Sequence, residues 1–140
     1  LPGVEVSPFL LDPERIPSED ASQAEWAERI GVAPATAPVL LVLPEPFSCD
    51  ATGLISGLDR AYPGATVVGG LVSGARRPGA NLLFCGGDTA TRGLAGVAMT
   101  GAVAAENSWQ KLDRVFLSGA EPTHPSNLLY DGRFDDVRVY

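Results

Sequence analysis

The stretch PVLLVLPEPFSCDATGLISGLDRAYPGATVVGG, residues 38–70, decides the fold. Its first seven residues, PVLLVLP, are a continuous apolar run bracketed by prolines. Such a run is a strand buried on both faces, as in a parallel or central position of a sheet. EPFSCD, residues 45–50, reads as a loop in which Ser48 or Asp50 caps the next helix. Leu54, Ile55, Leu58, Ala61 and Tyr62 then form an apolar stripe at helical spacing, predicting a helix over about 50–61. Pro63-Gly64 turns the chain into a further strand over Ala65–Ser73. Strand, helix and strand in this order make a βαβ unit with a right-handed crossover.

Gly69 and Gly70 sit inside that last strand, and glycine weakens a strand interior. The pair is expected to bend or bulge a central strand, leaving a concavity floored by backbone. Ser73 and Arg76 then stand at its rim. Gly53 and Gly57, four apart on the helix, are expected to allow close packing of helix on sheet.

Outward from this unit the chain alternates short apolar runs with turns. Residues 1–17 hold four of the twelve prolines and read as an extended arm carrying an edge strand at Val4, Val6 and Phe9–Leu11. SEDASQAEWAERI, residues 18–30, reads as a helix capped by Ser18, or by Ser22 with Glu25, and closed by Gly31. After the turn GARRPGA come a strand at Asn81–Cys85, the turn GGDTATRG and a strand at Leu94–Val103. Asp113–Leu117 and Val137–Tyr140 are further strand candidates, separated by a polar loop over residues 118–136. The predicted class is α/β (α+β). A single mixed sheet combines an early βαβ unit with a later antiparallel meander, and two or so helices pack on it. The domain spans residues 18–118, between the arm of residues 1–17 and an irregular tail of residues 119–140.

Composition narrows the function. The 140 residues are 45% hydrophobic and carry a net charge of −7, enough for one real core. The acidic balance opposes nucleic-acid binding and polybasic docking on an anionic membrane. No apolar run approaches the length of a membrane span. Cys49 and Cys85 do not make a disulfide framework, so a soluble protein in a reducing compartment is expected. The chain begins at Leu1 and reads as a processed form or a fragment, so the absence of a targeting segment is uninformative.

The residues for catalysis are sparse. His124 is the single histidine and lies in the polar loop, where Ser73 or Ser118 would have to reach it. There is no G-x-S-x-G elbow and no phosphate-binding loop, and Gly69–Gly74 does not open a helix. Cys85 at a strand end has only Arg92 to lower its pKa, and Asp135-Asp136 lacks metal-ligand spacing. No cofactor, no metal and no enzymatic activity are expected. Arg76-Arg77, the one compact basic spot, reads as a hairpin tip or as an anion contact beside the glycine strand.

YPGATVVGGLVSGA, then LLFCGG and RGLAGVAMTGAV, with VLLVLPEPF upstream, resemble the N-terminal part of a FIST domain. The resemblance covers roughly residues 36–104. It matches Gly69, Gly70, Ser73 and Gly74 on one strand and Gly93, Gly96 and Gly101 on another. FIST domains occur in bacterial sensory proteins and eukaryotic F-box proteins and are proposed to bind small molecules such as amino acids. The resemblance therefore implies a non-catalytic sensory domain for a small polar ligand, with Gly69, Gly70, Ser73, Gly74 and Arg76 as its binding residues. The family's Gln-Gly-Cys segment does not follow Val103, nor does a second FIST region, which implies a divergent short relative, a fragment or a reduced domain. A reading of another class is an accessory or scaffold subunit that docks on a larger assembly. Its contacts would be the arm and a tail bearing Trp109, Tyr130, Phe134 and Tyr140.

Overall fold

A computed structural model describes residues 3–103, 114–116 and 128–131. The chain divides into two units, Leu1–Ala105 and Glu106–Tyr140. In the first, β1 (Val4–Leu11), β2 (Val39–Pro44), β3 (Thr66–Gly69) and β6 (Leu94–Gly101) form a four-stranded sheet in the order β1-β6-β2-β3. β6 runs antiparallel to both β1 and β2, while β2 and β3 are parallel, so the sheet is mixed. The parallel pair is joined through α2 (Ala51–Ala61), which is the predicted βαβ unit. Two features differ from the single-sheet expectation. β4 (Leu83–Cys85) and β5 (Asp88–Ala90) form a separate two-stranded hairpin, closed by Gly86-Gly87. The GGDTATRG segment thus supplies a strand as well as a turn, because the tight two-residue loop leaves Asp88–Ala90 free to pair back on Leu83–Cys85.

Within the predicted arm, the segment Val4–Leu11 is tied to the body. β1 pairs with β6 along its whole length, from Val4 opposite Gly101 to Leu11 opposite Leu94. Pro8, which cannot donate to a ladder, is tolerated because β1 is an edge strand. α1 (Gln23–Ile30) starts one turn later than residue 18, since the Ser22 hydroxyl, not that of Ser18, accepts the Glu25 N–H at 3.2 Å. Gly31, at φ 85°, ends it in the left-handed conformation. Asp50 caps α2 by accepting the Thr52 N–H at 3.1 Å.

Both helices cover one face of the sheet. Phe9 and Leu11 of β1, Leu40 and Val42 of β2 and Leu94 and Ala98 of β6 meet Trp26, Leu54 and Leu58 there. Tyr62 closes this layer at 1% exposure; its hydroxyl donates to the Val32 carbonyl at 3.0 Å, and burial pushes its pKa up to about 12. Gly57 admits the Trp26 ring: a Cβ there would lie 2.7 Å from the indole Cζ2. The close packing is therefore of helix on helix. Gly57→Ala gains about 1 kcal/mol of helix propensity but overpacks a fully buried ring at a cost of about 1–3 kcal/mol. A net loss of stability in chemical denaturation is expected, and recovery in a Trp26→Phe background would identify the ring as its cause.

The register aligns the opposite face. Met99 lies beside Val6 and Val39, Val97 beside Pro8 and Leu41, and Ala95 beside Leu10 and Leu43. Val68 extends the row from Leu41. No helix covers this face among the described residues. The hairpin strand β4 packs on β6 and β1, with Leu83 buried outside the helix-side cluster.

In the second unit, β7 (Arg114–Phe116) pairs antiparallel with β8 (Leu128–Asp131), with an irregularity between Val115 and Phe116. The segment 118–136, expected as an unstructured polar loop, thus contains a strand where three apolar or aromatic residues, Leu128, Leu129 and Tyr130, are consecutive. His124, Trp109, Phe134 and the strand expected at Val137–Tyr140 lie outside the described residues. Among the described residues no helix is long and apolar enough to cross a membrane.

Candidate ligand site at the carboxyl ends of the parallel strands

The carboxyl ends of β2 and β3 are where an open α/β unit places its ligand crevice. β3 stops at Gly69, short of the expected Ser73, and lies at an edge of the sheet, not in its middle. The two glycines have different reasons. Gly69 has φ 150°, and a Cβ there would lie 1.9 Å from the Val42 carbonyl oxygen. Its missing side chain is filled by the backbone of β2, so it makes no hollow for a ligand. Gly70 donates its N–H to the same carbonyl at 3.2 Å and has open space where a Cβ would stand. The chain then leaves the strand, held once more by the Val72 N–H on the Pro44 carbonyl at 3.0 Å. Ser73, Gly74 and Arg76 follow on this exposed loop, Gly74 with φ 116° and nothing within 4 Å of a built Cβ.

A polar node missing from the sequence reading lies just beyond β2. Glu45 is 0% exposed, yet it carries a carboxylate. Its Oε2 accepts the Ser48 hydroxyl at 2.6 Å and its Oε1 accepts the Asn81 amide at 2.9 Å. Its backbone N–H donates to the Gly93 carbonyl at 2.8 Å, and the Gly93 N–H donates to Ser48 Oγ at 2.9 Å. Asn81, itself 5% exposed, accepts the Ala75 N–H at 3.1 Å. One carboxylate therefore joins the β2–α2 turn, the far end of the glycine loop, the approach to β4 and the entry to β6. Burial pushes its pKa up. The hydrogen bonds from Ser48, Asn81 and the backbone of Phe47 and Ser48 outweigh burial and hold it below the ordinary glutamate value.

Beside this node, a cavity of about 240 Å³ opens between the segment after β1 and the start of α2. Pro13, Ile16 and Pro17 form one wall, and Cys49, Gly53 and Leu54 the other. Ser18, Glu19, Ser48 and Asp50 supply its polar groups. Gly53 leaves room for the capping carboxylate, since a Cβ there would meet Asp50 Oδ2 at 2.7 Å. Glu19 and Asp20 hold Arg60 of α2, with Glu19 at 3.7 Å. Burial, then the charges of Asp50 and Glu45, push the Cys49 thiol up, so it stays protonated at neutral pH. Cys49 and Cys85 are both free, and Arg92 pairs with Glu14 at 3.2 Å.

None of Gly69, Gly70, Ser73, Gly74 and Arg76 lines this cavity. The structure brings Gly69 and Gly70 against β2 and leaves the other three on the loop that Asn81 anchors. The signal for Glu45 was present in the sequence. An acidic residue directly after a strand buried on both faces enters the interior with it, and a buried carboxylate must find donors.

No solved structure matches the chain. An uncharacterized protein of Mycobacterium tuberculosis is 50% identical over 62 residues, which are 44% of this chain and 16% of that protein. An uncharacterized protein of Mycobacterium bovis is 43% identical over 61 residues, again 44% of this chain and 16% of its own length. The chain thus spans well under two thirds of the curated relatives it matches. Gly69 and Gly93 pressed against neighbouring backbone and Gly96 against the Phe9 ring give the glycine spacing a structural cause. Residues 5–123 match the FIST N domain, the family to which this chain belongs.

Proposed function

We propose that this FIST N domain is a non-catalytic sensory module that binds a small polar, amino-acid-like ligand. The cavity beside the Glu45 node carries the reading. Its volume of about 240 Å³ suits a molecule of amino-acid size, and its lining offers more polar than apolar surface, which suits a small polar ligand. Glu19 and Asp50 suit a ligand ammonium, while the Ser18 hydroxyl offers a further hydrogen bond. The protonated Cys49 thiol is a poor nucleophile, which favours binding over chemistry. The loop bearing Gly70, Ser73, Gly74 and Arg76 is the second candidate position, where the Arg76 guanidinium suits a ligand carboxylate.

Thermal unfolding against a panel of amino acids and small acids tests this. A binder at a hundred times its Kd stabilises by about 2.7 kcal/mol, a rise of several degrees. Loss of that rise in Glu19→Gln, with retention in Arg76→Ala, assigns the cavity. The reverse pattern assigns the loop. No rise at millimolar concentrations of any compound removes the ligand reading.

A further inference from the structure

The cavity beside the Glu45 node has one fixed wall and one tied wall. Gly53 and Leu54 belong to α2, which is packed into the core through Leu54 and Leu58. Ser18 and Glu19 of the other wall belong to a short exposed segment, Ser18–Asp20. Its ends are buried Pro17 and Ala21, which packs on the core. This segment runs against α2 beyond the cavity. A Cβ built at Gly57 would lie 3.4 Å from the Glu19 Cα and 2.7 Å from Trp26 Cζ2, so Glu19 and the indole meet over this glycine. One turn on, Arg60 takes hold of the segment. It pairs with the Glu19 carboxylate at 3.7 Å and with that of Asp20, and its Nη1 donates to the Glu19 carbonyl at 3.4 Å. Gly53, Gly57 and Arg60 share one side of the helix.

We propose that Arg60 is a positioning residue for the cavity: it ties Ser18–Asp20 down as a strap that exchanges between this closed position and an open one. The balance is fine. Arg60, Glu19 and Asp20 are all exposed, and exposed ion pairs contribute little individually. Against them, Trp26 is fully buried and its Nε1 has no hydrogen-bond partner among the described residues. Cε2, which bears that nitrogen, faces the same spot over Gly57 as the Glu19 backbone, so lifting the strap would let water satisfy the donor. The inference rests on the cavity being the ligand site, because a bound ammonium and Arg60 then draw on one carboxylate, that of Glu19. Occupancy and closure are linked through it.

Cys49 lines the cavity and Cys85 does not, so the two thiols report the strap without any ligand. Alkylation of the full chain by iodoacetamide, resolved by mass spectrometry, gives the Cys49 rate relative to that of Cys85. Arg60→Ala should raise this ratio by about two- to tenfold, the factor that the loss of two exposed ion pairs allows, with urea unfolding close to the parent. High sodium chloride should raise the parent's ratio and leave that of Arg60→Ala in place, because screening acts only on the tie. Arg60→Lys should restore part of the closure. Glu19→Gln combined with Asp20→Asn cuts the tie from the other side and should match Arg60→Ala. A ratio that neither set of variants moves, a rise that comes with a matching loss of global stability, or a salt effect that persists in Arg60→Ala overturns the proposal. No ligand enters this experiment, so its failure removes the strap alone, while failure of the amino-acid panel leaves its outcome unaffected.

Discussion

Gly69→Ala should lose about 3–5 kcal/mol of stability, a large share of the total of a typical domain, while its neighbour Gly70→Ala should change stability by about 0.5 kcal/mol or less. The contrast arises from position alone. At Gly69 the backbone holds φ 150°, where an L side chain is strained, and the new methyl would sit 1.9 Å from the Val42 carbonyl oxygen. That oxygen also accepts the Gly70 N–H, so it cannot withdraw without breaking a bond that ties the end of β3 to β2. At Gly70 the space beyond Cα is open and φ lies outside the left-handed range. The measurement is urea unfolding of both variants beside the parent. Equal losses would show that the two glycines serve one purpose, as a shared bulge would require.

This pair also shows where sequence reading succeeds and fails. The run PVLLVLP, the caps at Asp50 and Gly31 and the Pro63-Gly64 turn are local signals, and β2, α2 and β3 follow from them within a few residues. The double glycine is local too, but its cause lies on another strand: Val42 is 27 residues away in sequence and adjacent in space. Sequence therefore marks that something approaches the backbone without saying whether it is a ligand or β2. The same holds for the site. Glu45, Ser48, Asn81 and Gly93 span the chain from the β2–α2 turn to the start of β6, and no spacing rule joins them before the fold does.

Glu45→Ala should cost about 3–5 kcal/mol, because it leaves buried donors without acceptors instead of merely removing a contact. The Asn81 amide and the Ser48 hydroxyl both lose their carboxylate, in a region where water does not replace it. Glu45→Gln should be milder, at about 1–2 kcal/mol, since one amide oxygen still accepts from Asn81 while the charge-assisted bond to Ser48 is lost. The pH dependence separates charge from shape. The folded protein holds Glu45 below its ordinary pKa, so the unfolded chain binds more protons in the interval between the two values. The stabilisation is therefore fully present above about pH 4.3, the ordinary glutamate value, and is lost as pH falls through the lower, folded one. The parent's stability should decline through that interval more steeply than that of Glu45→Gln, and the gap between them should narrow in acid. A gap that stays constant with pH would mean that folding does not shift the Glu45 pKa, and a gap that widens in acid would mean that the fold favours its protonated form. If Asn81→Ala and Glu45→Ala are then combined, their costs should fall short of additivity, because either change alone already releases the loop that runs from Gly70 to Asn81. Full additivity would mean that the loop is held by its own contacts and that the node is not its anchor.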